Sequence, residues 1–209
     1  MIYKNEVQNP VQAPTQVPAV VPYITAQMNF IFRARMLYRD LATWLRSYKV
    51  SLYGDVGNTD ELSKRLFRLP TEYGSILRVF FGDPTTEQLM SLLTQYIAIL
   101  QSLFIAQMNN DINAINSLTQ QAYQNVNNTA ALLATANPYW TQAEWVTLLT
   151  LFTGLQIQES TTFLTKDYSA NNDIFDRILS FTNLIGDYFS EGLTNYFLLR
   201  QQQQQLPAI

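Results

Sequence analysis

Cysteine and histidine are both absent from this 209-residue chain. Without cysteine there is no disulfide, no thiolate metal site and no thiol nucleophile. Without histidine, the usual general base, the common zinc ligand and the Ser-His-Asp arrangement are gone as well. Charge is scarce too: Asp, Glu, Lys and Arg make up 14% of the residues, fewer than Asn and Gln together. The polar surface is therefore built mainly from amides. No uninterrupted apolar run approaches the roughly 18 residues of a membrane span. Met1 to Pro22 lacks the basic start and apolar stretch of a signal peptide. The expected location is the cytoplasm or a particle assembled inside the cell. No G-x-G-x-x-G, G-x-x-x-x-G-K or G-x-S-x-G occurs, which argues against a standard nucleotide-dependent kinase and against a nucleophile elbow.

What is present is apolar and periodic. Hydrophobic residues form 47% of the chain, enough for one core. The segment 1–22, with "NPVQAPTQVPAVVP" at its centre, holds four of the eight prolines. Repeated proline favours an extended, polyproline-like course. The segment reads as an arm or a disordered leader, and Val11, Val17, Val20 and Val21 suit docking on a neighbour. Residues 200–209, "RQQQQQLPAI", read as a polar tail. Between them, 23–199 carries helical periodicity throughout. Phe30, Ala34, Leu37, Leu41, Trp44 and Tyr48 draw one apolar stripe at three-four spacing. Leu89, Leu93, Tyr96, Leu100 and Leu103 draw another. A thinner one runs from Ile112 through Ala122 and Val126 to Leu133. Leu148, Phe152 and Leu155 follow, then Ile174 to Leu193. Asn58-x-x-Glu61 and Thr85-x-x-Gln88 have capping-box spacing, and Pro70 reads as a break. The expected fold is all-α: an antiparallel up-down helical bundle of about four long helices plus short helices.

The stretch "NPYWTQAEW" places two tryptophans around a short polar insert. With Thr141 as N-cap, Glu144 falls at N3, the spacing of a capping box. Trp140 and Trp145 then occupy the two positions of a hydrophobic staple. An aromatic ligand box is the other reading of the same residues.

Charge is uneven along the chain. From Tyr23 to Gly82 there are nine Lys/Arg against five Asp/Glu; from Asp83 to Ile209 there are three against ten. The cations Arg33, Arg35, Arg39, Arg46 and Lys49 share one helix and read as a solvated face with some surface pairing. That is too weak a stripe for nucleic acid. Complementary halves would favour self-association, weakly. Asp187 and Glu191, at i and i+4, have a spacing that could hold a hard cation, although such pairs are usually solvated. No metal or cofactor is expected.

The runs "NTDELSKRLFRLPTEYGSILRVFFGD", "LLTQYIAI", "NPYWTQAEW" and "FLTKDYSANNDIFDRI" resemble a family of uncharacterised all-helical bacterial proteins, common in Firmicutes and often labelled acetylglutamate kinase. The resemblance runs from about Met36 to Phe197. It implies Asp-His pairs on three long helices, the histidines falling at Leu41, Tyr96 and Phe152. Asp40 keeps the first acid, while Gln95 and Leu151 replace the others. The resemblance thus implies a degenerate site at Asp40, Leu41, Tyr96 and Phe152, its chemistry lost. It further implies that Leu41, Tyr96 and Phe152 are neighbours, with Trp44 close by.

Function is expected to be non-enzymatic: a structural or protein-interaction bundle in a homo- or hetero-oligomeric assembly, such as a spore, capsid or other ordered structure. Contact would run through the arm and the bundle surface, to itself or to an assembly protein, with no nucleic acid and no membrane span. The alternative is a small-ligand-binding bundle with an apolar interior pocket.

Overall fold

The computed structural model describes residues 20–205, with side chains placed for 28–198 and 201. Residues 1–19 of the arm and 206–209 of the tail lie outside the described residues. Among those described, the chain is helical apart from short connectors and contains no strand. The helices are α1 (Val20–Gly54), α2 (Thr59–Leu66), α3 (Leu69–Met108), α4 (Ile112–Ala136), α5 (Gln142–Leu164) and α6 (Tyr168–Gln205). Five are long, one more than the periodicity predicts. α1 begins inside the proline-rich segment, with Pro22 in its first turn, where a missing amide costs nothing. α6 continues into the glutamine run.

The connectors are short because one helix end is also the next helix start. At the end of α3, Asn110 takes a left-handed conformation (φ 53°), and the Asp111 amide donates back to the Ala106 carbonyl. Asp111 is then the N-cap of α4, its carboxylate accepting from the Ala114 amide at 3.0 Å. Lys166 (φ 60°) and Asp167 repeat the device between α5 and α6, Asp167 accepting from the Ala170 amide at 3.1 Å. This is the Schellman ending joined directly to an aspartate cap.

Two capping predictions need correction. Asn58 does cap α2 by position, but its side chain makes no cap hydrogen bond. The amide oxygen instead accepts from Ser51 Oγ at 2.6 Å. Thr85 lies just inside the second arm of α3, which starts directly after Gly82. The break lies at Gly82, with φ 71° and ψ −179°, a conformation that only glycine adopts readily. Pro70, predicted as a break, sits in the first turn of α3, where its fixed φ suits a helix start. Gly82 bends α3 sharply. In a straight helix Gly74 and Met90 would stand about 24 Å apart. Here Met90 packs on the bare backbone of Gly74, so closely that a Cβ there would meet its sulfur at 2.2 Å. Arg78 clamps the bend, binding Asp83 at 2.6 Å and Glu87 at 2.7 Å.

α1 packs on α6, α6 on α5, α5 on α4 and α4 on α3, and α1 also meets α2, α3 and α5. α5 touches α1, α3, α4 and α6, which encloses it on most sides. Leu45, Leu66, Ile97, Leu100, Phe104, Trp145, Ile178 and Ile185 are among the fully buried side chains. Ile112, placed on a stripe by its spacing, is exposed at the first turn of α4.

Candidate functional site

The apolar stripes converge on a cavity of about 100 Å³. α1 contributes Leu37, Tyr38 and Leu41; α3 contributes Tyr73 and Leu77 before its bend and Leu89, Met90, Leu93 and Tyr96 after it. α4 supplies Asn125, Val126, Thr129 and Leu133, α5 supplies Leu149 and Phe152, and α6 supplies Phe189. The bend at Gly82 lets one helix form two walls. No lining side chain is charged.

The wall's hydroxyls are not equivalent. Thr153 Oγ1 donates to the Leu149 carbonyl at 2.8 Å. Its one proton is thereby committed, so the 2.8 Å contact with the Tyr96 hydroxyl has Tyr96 as donor. Asn125 Nδ2 donates to the Leu92 carbonyl at 3.0 Å. The Tyr73 hydroxyl is buried beside the Leu41 backbone. Burial pushes Tyr73 and Tyr96 well above the ordinary tyrosine pKa, Tyr73 with added repulsion from Tyr38 and Asp40. Both stay protonated throughout the neutral range.

Leu41, Tyr96 and Phe152 thus lie in one wall system, brought together from three helices. Asp40 does not join them: it is half-buried nearer Arg65 and Glu72, and burial raises its carboxyl pKa. Gln95 and Leu151 are exposed, as expected for neighbours pointing to other faces of their helices. Trp44 is absent from the wall and instead lies under the Arg65 guanidinium at 4.8 Å.

At the start of α5, Thr141 Oγ1 accepts from the Glu144 amide at 3.2 Å. Trp140 and Trp145 meet edge to face with ring centroids 5.4 Å apart. The reciprocal half of the box is taken over by α6: the Thr141 amide donates to the Tyr188 hydroxyl at 2.8 Å. Trp140 Nε1 donates to the Tyr188 carbonyl at 3.2 Å and its ring stacks on Phe189. Both tryptophans are buried, so their rings serve packing and present no aromatic face to solvent.

A polar cluster that spacing alone does not reveal lies between α1, α5 and α6. Lys49 is 1% exposed. Its ammonium binds the Glu159 carboxylate, donates to Gln156 Oε1 at 2.9 Å and lies 5.0 Å from the Phe104 ring centre. Burial pulls the Lys49 pKa down, and Glu159 opposes that shift. Arg46 binds the second Glu159 oxygen at 2.7 Å and covers Phe175. Arg35 grips Asp187 through two bonds of 2.6 and 2.9 Å. The cationic face of α1 is therefore not merely solvated: three of its cations pair with acids over a hundred residues away. This pairing draws the basic and acidic halves together within one chain. Asp187, engaged by Arg35, is not set to share a cation with Glu191. The signal available in the sequence was Glu159 within the apolar face of α5, but burial there depends on which helices surround it.

Among the described residues no three acidic side chains converge as a metal-binding group. One stretch within Thr59–Met108 is long and apolar enough to cross a membrane, and 44% of it is buried inside the protein. Counting uninterrupted apolar residues misses it, because Thr94, Gln95 and Gln101 interrupt the run. No family model, no curated protein and no solved structure matches this chain.

Proposed function

We propose that the chain is a non-enzymatic, antiparallel up-and-down bundle that binds a small neutral apolar molecule in its interior. The observation that carries this reading is the cavity at the convergence of Leu41, Tyr96 and Phe152. Well-packed interiors leave few voids larger than a water molecule. A mostly apolar space of this size suits compact apolar ligands. With no charged side chain at the wall and no histidine or cysteine in the chain, the site has no conventional base or nucleophile. Thermal unfolding with saturating benzene, cyclopentane and cyclohexane tests the reading, because a ligand that binds only the folded state raises Tm. The Leu41→Phe variant, with its helicity checked by circular dichroism, fills the space and should lose the effect. No rise in Tm with any of the three in the wild-type chain refutes it.

A second reading, an assembly protein, is favoured by Met28, Phe32 and Met36. They stand at four-residue spacing on α1 and are each about half exposed. The occupant that fits this stripe is the valine- and proline-bearing segment 1–19 of another copy. Light scattering on the full-length protein and on protein lacking residues 1–19 decides it. A full-length monomer, or an oligomer indifferent to the deletion, removes this reading.

A further inference from the structure

We propose that α5 and α6 pack against the same two helices of a second copy of the chain, about a two-fold axis near Gly154, with Arg177 of each copy paired to Asp176 of the other. This contact goes beyond the readings above: it uses neither the cavity nor the α1 stripe with segment 1–19. The glycines carry the argument. Gly57 and Gly82 have positive φ, and Gly54 ends α1. Gly74, Gly186 and Gly192 each receive a neighbour from within the chain: Met90, the Arg35 backbone and the Trp140 ring would collide with a Cβ there. Gly154 is the seventh glycine, and no neighbour in the chain accounts for it. A Cβ at that position would meet the Tyr123 hydroxyl at 3.7 Å, an ordinary contact, and nothing closer. Glycine in a helix interior is destabilising relative to alanine. Here the bare backbone faces space that another molecule can enter.

Gly154 lies in a trough of about 850 Å³ between α4, α5 and α6. Leu151 and Leu184 stand in it 52% and 57% exposed, beside Phe181, and supply the apolar area that association would remove from water. The charged residues of the trough are Asp176 and Arg177. Neither side chain has an ion pair or hydrogen bond among the described residues. α6 runs antiparallel to α5, with Trp145 against Tyr188 and Arg46 joining Glu159 to Asn172. That alignment sets Gly154 about level with Arg177. An acid and a base side by side at the level of the gap are self-complementary. A two-fold axis there turns each Arg177 toward the Asp176 of the other copy, making two ion pairs at once. A partner presenting charge of one sign would pair with one of the two residues and repel the other, so the occupant that fits is a second copy.

Light scattering and sedimentation equilibrium on the full chain, at concentrations up to about 1 mM, test the inference. The expected wild-type species is a dimer of twice the 24.0 kDa chain mass. Gly154→Gln fills the gap with a residue that favours a helix. Its helicity by circular dichroism should hold while dimerisation weakens about tenfold or more. Arg177→Asp sets like charges together and should also weaken dimerisation about tenfold or more. Adding Asp176→Arg to that variant restores opposite charges across the axis and should recover the wild-type constant to within about threefold. That recovery is the signature of a pair made with a second copy. A monomeric wild-type chain overturns the inference, and so does a dimer indifferent to Gly154→Gln. A dimer weakened by Arg177→Asp and not recovered by the exchange overturns the pairing of Asp176 with Arg177. Deleting residues 1–19 should leave this dimer intact, whereas it removes the assembly through the α1 stripe, so the two contacts fail separately.

Discussion

Replacing Lys49 by methionine removes one ammonium from the interior and keeps nearly the whole side-chain length. What remains is a Glu159 carboxylate 1% exposed, with Arg46 at 2.7 Å as its one charged partner. Removing one member of a buried pair generally costs about 3–5 kcal/mol, because the other charge is left buried and under-compensated. Arg46 still holds one oxygen, so the lower end, about 3 kcal/mol, is expected here. Gln156 Oε1 also loses its donor. The converse change, Glu159→Met, should cost less. Burial already lowers the Lys49 pKa, with Glu159 opposing, so without the carboxylate the amine can shed its proton. The double replacement with methionine should recover most of the loss, since an apolar pair of similar volume is often neutral or stabilising relative to a buried ion pair. Urea unfolding followed by circular dichroism gives the three free energies and their coupling. A Lys49→Met cost below about 1 kcal/mol, additive with Glu159→Met, would show that the pair is not a desolvated ion pair.

Thr141→Ala should cost about 1 kcal/mol in urea unfolding, the effect of a lost N-cap; no loss would mean that the Tyr188 hydroxyl alone secures the start of α5. Gly192→Ala places a methyl 1.9 Å from Trp140 Nε1. It should cost about 2–4 kcal/mol through overpacking and the broken bond to the Tyr188 carbonyl, with a changed tryptophan emission. Wild-type stability and unaltered emission would contradict the close approach of α6 to Trp140. At alkaline pH the buried Tyr73 and Tyr96 and the half-buried Tyr38 and Tyr53 have folded-state pKa values raised by desolvation. Their stabilisation is fully present below the unfolded value near 10 and falls as pH rises above it, by up to about 1.4 kcal/mol per pH unit for each. Lys49, with its pKa lowered, acts in the opposite sense but is one group against four, so unfolding should set in steeply above about pH 10. Tyrosinate absorbance that appears near pH 10 without unfolding would refute this.

The helical stripes were legible because a helix's buried face is written every three or four residues, and the positions from Leu41 to Tyr48 and from Leu89 to Leu103 obey that rule. The start of α5 was legible for the same reason of range: Trp140, Thr141, Glu144 and Trp145 lie within six residues of one another. Asn58 shows the limit. Its spacing to Glu61 is right, but Ser51, on another helix, takes the oxygen that the cap needed. The start expected at Thr85 lies within a few residues of the bend, but a glycine among helix-compatible neighbours carries no mark of how sharply the chain turns at Gly82. The stripes place Leu41, Tyr96 and Phe152 on the apolar faces of three helices, but they cannot say how those helices are rotated against one another, and that rotation brings the three into one wall.

By itself the sequence determined the helical class, the apolar faces and the absence of histidine and cysteine chemistry, because each follows from local composition or short-range spacing. Tertiary structure alone decided that Lys49 and Glu159 are buried together, that Arg35 reaches Asp187, and that the Tyr73 hydroxyl is buried against α1. Those outcomes depend on which helices surround a given turn. Desolvation and hydrogen-bond satisfaction are properties of the whole shell around a side chain, and most of that shell comes from residues far away in the sequence.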